Sequence, residues 1–561
     1  MTAYRLILLI LVACAPSAPR RIEPAQPTTY RPPAPRAFPD AMAEGALLFH
    51  DLGTHHRDIA TASPEAQRYF DQGLRLLYAF NHDEAARSFA KAAITDRSCA
   101  MCYWGIAYAL GPNYNVPMLS DRFATAWTAL GRARAAAVTA PAVERALIDA
   151  LASRYAGPAP HPQAAQHPLD IAYADAMRRV SKQFPDDADV QVLTAEAIMD
   201  LNPWKLWTRN GAPAPGTQEI VGRLEAVLAR HPEHPGANHY YIHAVEASPD
   251  PGRALAVAAR LPSLMPGAGH IVHMPAHIYQ RVGRYADASA ANRAAIAADL
   301  AYLRQTRPPG YYPMYIGHNQ GFLAYSEAML GRSADALAAA RAAAKALPPE
   351  MLDMMPGMDF FTAEPLLVMV RFGMWADLLE EPRPPARYQA LTGLWLHARG
   401  MALASTNQLE GALAALAELR ALAAKAPATE QAANNSTRAV LEVAAKALEA
   451  RIAENERDPA ALALWAEAVA QEGALTYAEP ADWFYPLRHY QGAALLAANR
   501  PGEAERVYRA DLAEHPHNGW ALRGLVQALR AQHRTGEAAQ VQRELARAWS
   551  RADVTPARSA Y

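Results

Sequence analysis

The chain is predicted to be all-α, an α-solenoid of stacked helical hairpins broken by irregular insertions. Three observations carry that prediction. Alanine dominates the sequence, with leucine, arginine and glutamate, while runs of β-branched residues long enough for a strand are nearly absent. A small-large-small pattern recurs at hairpin spacing, and hairpins that cannot bury their faces alone must stack. At 561 residues and 51% hydrophobic, the chain is long enough to form one extended array. Charge is balanced, with 54 Lys and Arg against 55 Asp and Glu, and no dense basic cluster with interleaved aromatics occurs. No nucleic-acid partner is therefore expected.

Taken in order, residues 1–13 read as a signal peptide, with a charge at Arg5 followed by an apolar run from Leu6 to Ala13. The string Leu11-Val12-Ala13-Cys14 resembles the lipobox of bacterial lipoproteins, which implies a lipidated Cys14 and an exported protein held at the bacterial envelope, facing the periplasm. An ordinary signal peptide or a short buried helix are the other readings. Beyond Cys14 no stretch stays apolar for the ~20 residues of a membrane span, so membrane contact is expected through the lipid alone. Residues 14–55 are assigned to a Pro-rich tether, densest in Pro and Arg from Ala15 to about Pro39. Residues 56–550 form the expected array and 551–561 a C-terminal tail.

Only three cysteines occur. With Cys14 acylated, Cys99 and Cys102 are the one pair left for a disulfide, which export permits. A redox motif would sit beside a βαβ pattern that this sequence lacks, and no second Cys pair completes a metal site. A local staple at the start of a helix is the preferred reading.

The repeats follow. Gly73, Ala85, Phe89 and Ala92 mark the first clear hairpin, and Gly492, Ala504, Tyr508 and Pro516 the last. Between them Gly283 with Ala288, Gly331 with Ala336, and Gly400 with Ala412 mark further inter-helix turns and second helices. This spacing resembles the tetratricopeptide repeat (TPR), which implies a right-handed superhelix of hairpins. Longer connections are expected at Gly111 to Met118, Gly157 to Pro168, Asn202 to Pro215 and Arg307 to Pro313. Several strings are similar to a family of bacterial TPR proteins of largely unassigned function. These are Tyr69-Phe70-Asp71-Gln72-Gly73-Leu74, Cys99 to Gly105 with Gly111-Pro112-Asn113, and Gly269-His270-Ile271-Val272-His273-Met274-Pro275-Ala276-His277-Ile278-Tyr279. The resemblance covers most of the chain after about residue 55 and implies a fold and little biochemistry.

The candidate site is a histidine pattern. His239 and His273 stand 34 residues apart, as do His243 and His277, and 34 is the TPR period. Within each helix the two histidines are four apart, on one face and one turn above each other. The four imidazoles are thus expected to converge on one patch. Glu196 and Asp200, also four apart on the preceding first helix, are expected beside them. Glu246, His270 and His318 are the further candidates. Histidine with carboxylate is a donor set for zinc, iron, manganese or copper, so a divalent transition metal is the candidate cofactor. The alternative is that these are hydrogen-bonded structural or groove histidines.

Tyr240, Trp204 and Trp207 are candidate ligand-binding residues, as are the aromatics of Gly310-Tyr311-Tyr312-Pro313-Met314-Tyr315; packing is the competing role. Met351, Met354, Met355 and Met358 have the spacing of copper-binding methionines but read as core filler. No zincin helix, Walker loop or Gly-x-Ser-x-Gly elbow occurs. Two functions are carried forward: an envelope scaffold holding a protein or peptide in its groove, and a metal-binding protein or metal-dependent enzyme.

Overall fold

In the computed structural model, residues 38–307, 312, 314–354, 357–427 and 429–561 are described. Cys14, the signal segment, Gly310, Tyr311, Pro313 and Met355 lie outside them. The described residues form antiparallel helical hairpins in which each helix packs on its chain neighbours, with a single two-residue β-ladder at 431–436. None of the described helices is long and apolar enough to cross a membrane.

The first hairpin shows why the glycine spacing matters. Helix Pro64–Tyr78 is capped by Ser63, whose side chain accepts from the Ala66 amide, and it packs on helix His82–Thr95. The Phe89 ring of the second helix lies between Gly73 and Gly105 of the flanking first helices. A Cβ at either glycine would come within 2.6 and 2.5 Å of that ring. At the far end Tyr508 sits in the same way between Gly492 and Gly524. This close approach of helices around an aromatic plug is TPR-like packing, and it fixes the register of one first helix against the next.

Where a hairpin turn must reverse tightly, Gly283 takes φ 73° and Gly331 φ 70°. At Gly283 a side chain would also collide with the carbonyl of Pro516, so the C-terminal hairpins lie alongside the middle of the array. The connection 475–487 and the tail return onto the array as well. Ser559 Oγ donates to the His489 carbonyl at 2.7 Å and Arg451 donates to the Tyr561 carbonyl at 2.7 Å.

Two expectations are revised and a third, the disulfide staple, is met. Residues 38–55 pack rather than hang as a tether: Ala43 and Leu52 are buried, and the Gly267 amide donates to the Asp51 carbonyl at 2.7 Å. The 157–168 connection is shorter than expected, because helix Gln163–Gln183 runs through Pro168. Cys99 and Cys102 are disulfide-linked, and Cys99 is the N-cap of helix Ala100–Ala109.

Candidate metal centre

Three successive first helices build the centre. His239 and His243 lie on helix Pro235–Val245. His270 and His273 lie on Gly269–His273, and His277 on Pro275–Arg281, where Pro275 interrupts what would otherwise be one helix. His318 lies on Met314–Met329. The imidazoles of neighbouring first helices lie in ring contact, from edge-on (His239 with His270) to stacked (His243 with His270). The first five histidines are at most 1% exposed, and His318 is half-buried.

The rings group into two triads. In the first, His239, His243 and His270 offer nitrogen atoms that all lie within 4.8 Å of one another. In the second, His273, His277 and His318 do the same. The hydrogen bonds settle the tautomers. His239 Nδ1 faces the Tyr78 carbonyl at 2.6 Å and must donate to it, leaving the Nε2 lone pair free. His243 Nδ1 donates to Glu246 Oε1 at 3.1 Å, again freeing Nε2. Those two Nε2 atoms and both nitrogens of His270 are buried without a hydrogen-bond partner. An oriented Nδ1–H with an unengaged Nε2 is how proteins present imidazole to a metal.

In the second triad His273 Nδ1 donates to Asn292 Oδ1 at 2.7 Å, and His277 Nδ1 lies 2.8 Å from Glu246 Oε2 and 2.9 Å from Glu479 Oε2. The two Nε2 atoms are 2.9 Å apart and share one proton. Burial holds His239, His270 and His273 well below the usual histidine value, with neighbouring imidazoles adding to the effect. Burial also lowers His243, and it lowers His318 to about 3. His277 is the exception. Burial acts to lower it, but Glu246 and Glu479 outweigh that and bring it to about 9. Burial would raise Glu246, yet His277 and His243 hold it at about 2.

Aromatic residues enclose both triads. Phe80 lies edge-on to His239 at 4.6 Å and stacks with His243 and His270 at 5.7 Å each. Trp204 approaches His243 at 5.8 Å and stacks on Tyr114 at 5.6 Å. Phe322 closes the second triad, 4.5 Å from His273 and 4.6 Å from His277. Phe80 and Trp204 have φ of 53° and 60°, a conformation that strains a bulky residue. Two cavities flank the centre. One of about 330 Å³ is lined by Leu76, Ala79, Asn81, Ala268 and Tyr312 and by none of the six histidines, and one of about 100 Å³ is lined by Glu479, the neighbour of His277, with Arg281 and Tyr477.

Not every sequence candidate arrives here. Glu196 and Asp200 belong to a separate buried network: Glu196 accepts from Tyr108, and Asp200 pairs with Arg154, which also contacts Asp170. Arg154, in a hairpin turn, pairs with Asp200, while Tyr108 holds Glu196. Trp207 donates its indole N–H to the Ala244 carbonyl at 2.8 Å and Tyr240 is wholly buried against Phe80, so both pack rather than line an open groove. Met351 and Met358 pack beside Leu352 and Tyr388.

Glu479, Phe80, Tyr114 and Asn292 were not anticipated. Only Asn292 sits on a repeat helix, and the others come from turns or connections with no periodic signal. A further group, His55, Asp189 and His234, is a hydrogen-bond hub: Asp189 Oδ1 also accepts from Tyr78 at 2.6 Å, and His234 Nδ1 accepts from the Ala237 amide.

Fold and site together define a TPR-like array with a buried polyhistidine centre. No family model and no curated protein matches the chain. Among solved structures, the human IFIT1 dimer with m7Gppp-AAAA is similar over 84% of this chain and 94% of its own, at 12% identity and TM-score 0.35. The P58(IPK) TPR domain is similar over 84% of this chain and 99% of its own, at 13% identity and TM-score 0.20. Naa15/Naa10 bound to HypK-THB is similar over 86% and 71%, at 13% identity and TM-score 0.21. Likeness at this level carries no argument about the centre.

Proposed function

We propose that the protein is a metal-dependent enzyme whose centre holds a first-row divalent cation, zinc, iron, manganese or copper, on His239, His243 and His270. The observation that carries this reading is the set of buried, unengaged ring nitrogens on three mutually facing histidines. Two of the rings are oriented through Nδ1 by a carbonyl and a carboxylate. Three imidazoles match the ligand number of catalytic rather than structural zinc, whose fourth position is left for water or a substrate oxygen.

A scaffold role, in which the array also holds a protein or peptide partner, is compatible with a helical-hairpin fold. On the proposed reading Cys14 anchors the protein at the bacterial envelope through lipid, which intact-mass measurement of membrane-extracted protein checks. The metal reading is tested by elemental analysis of protein purified without a polyhistidine tag, beside a His239→Ala/His270→Ala variant. Stoichiometric metal that the variant loses while keeping its helical circular dichroism supports it. No metal in the parent after reconstitution with each of the four ions sinks it.

A further inference from the structure

The two triads are successive copies of one site. Aligning the helices on the paired strings Gly269-His270 and Gly317-His318 also aligns the turns Gly283-Arg284 and Gly331-Arg332, each followed by Ala-Asp-Ala at Ala286-Asp287-Ala288 and Ala334-Asp335-Ala336. His318 is therefore the repeat equivalent of His270, displaced by 48 residues because the connection before it is longer. His273 and His277 are the equivalents of His239 and His243. Each triad thus takes two histidines from one first helix and the third from the start of the next.

The geometry repeats with the sequence. Ring centroids in the first triad are separated by 5.0 Å (His239 to His243), 4.9 Å (His239 to His270) and 6.2 Å (His243 to His270). The equivalent separations in the second are 4.8, 4.9 and 6.2 Å. The orienting partners are equivalent too. Each triad has one Nδ1–H directed to a neutral oxygen, of Tyr78 or Asn292, and a second Nδ1 within 3.1 Å of a Glu246 oxygen. Glu246 is shared, with one oxygen toward His243 and the other toward His277. No third copy follows, because Gly321 and Tyr325 occupy the positions equivalent to His273 and His277.

We infer that the centre is dinuclear: a second first-row divalent cation binds on His273, His277 and His318, linked to the first through the outer carboxylate Glu246. The 2.9 Å between the two Nε2 atoms of His273 and His277 is somewhat less than the ~3.3 Å edge of a tetrahedral site with bonds near 2.05 Å, a small adjustment. Half-buried His318 gives this position its contact with the outside, whereas the first position is closed over by Phe80 and Trp204.

This inference rests on the metal reading of the first triad, and stoichiometry separates the two. Full-length apo-protein is titrated with Zn²⁺ against a chromophoric chelator, and with Co²⁺ to read ligand-field bands. Two equivalents are expected in the parent, and one each in His318→Gln and His270→Gln, with distinguishable Co²⁺ spectra. Loss of both positions is expected only when the substitutions are combined. One equivalent in the parent, unchanged in His318→Gln, overturns the second position and leaves the first. No bound metal in the parent overturns both. His318 is half-buried and Gln retains a polar tip, so folding is preserved; circular dichroism checks it.

Discussion

Replacing Glu246 by Gln tests whether the carboxylate serves the metal or merely fills the core. Glu246 is 1% exposed, and its two oxygens lie 3.1 Å from His243 Nδ1 and 2.8 Å from His277 Nδ1. Gln keeps one acceptor oxygen and turns an NH₂ toward the other ring, which is itself a donor, so one imidazole loses its orientation and both lose the negative charge behind them. Removing an outer partner of this kind costs about 10- to 100-fold in metal affinity, or roughly 1.4 to 2.7 kcal/mol. Apo-protein near neutral pH is titrated with Zn²⁺ in competition with a chromophoric chelator, parent beside Glu246→Gln, with far-UV circular dichroism as the folding control. Weakening in that range is expected. An affinity within about twofold of the parent, with helicity retained, would refute the assignment, since an outer-shell carboxylate cannot be removed silently.

Other outcomes follow from the same geometry. Glu196→Gln leaves metal stoichiometry unchanged, because Glu196 accepts from Tyr108 in a separate network; loss of metal in that variant returns Glu196 to the ligand set. Gly105→Ala places a Cβ 2.5 Å from the Phe89 ring and is expected to destabilise by about 1 to 3 kcal/mol, read as a lower denaturation midpoint; an unchanged midpoint contradicts the plug-and-glycine packing. Burial raises Asp482 from 3.8 to about 7, with Asn435 opposing. A raised folded pKa makes the native state hold its proton more tightly, so stability present below the unfolded value is lost as pH rises through about 7. Asp482→Asn escapes that loss, and its stability relative to the parent should climb by about 1.4 kcal/mol per pH unit across that window and then level off. A pH-independent difference contradicts the assignment.

The fold and the paired histidines of the centre were legible because both are periodic. Gly73, Phe89, Gly492 and Tyr508 announce themselves by spacing, and the 34-residue interval carries His239 and His243 onto His273 and His277. Of the three candidate carboxylates, Glu246 reaches the centre and the two chosen by periodicity do not. Glu196 and Asp200 have the right spacing, but Arg154, from a turn that no repeat pattern describes, pairs with Asp200 and leaves Glu196 beside Tyr108. Glu479 supplies the opposite lesson. It reaches His277 from an irregular connection far along the chain, because the C-terminal hairpins lie back along the middle of the array, a closure visible at Gly283 and Pro516 but written in no local pattern.

Energetics bear on whether such a centre could be mere packing. His239 Nε2, His243 Nε2 and both nitrogens of His270 are buried without partners, and each unsatisfied group costs about 1 to 3 kcal/mol. Phe80 and Trp204, the two aromatics that close over these rings, hold left-handed backbone at a further ~1 to 3 kcal/mol each. Together these penalties rival the ~5 to 15 kcal/mol by which whole domains are stable. Apolar side chains of similar size would fill the same space without them. A bound cation engages one nitrogen of each ring, three of those four atoms, and metal sites of this ligand type return free energy on the order of 10 kcal/mol to the fold. On that balance the apo-protein should be the less stable form, gaining in denaturation midpoint as Zn²⁺ is added. Strain concentrated at Phe80 and Trp204 then has a physical role: these residues hold a dry, aromatic wall against the triad of His239, His243 and His270, whose imidazoles burial keeps in the neutral form that binds metal.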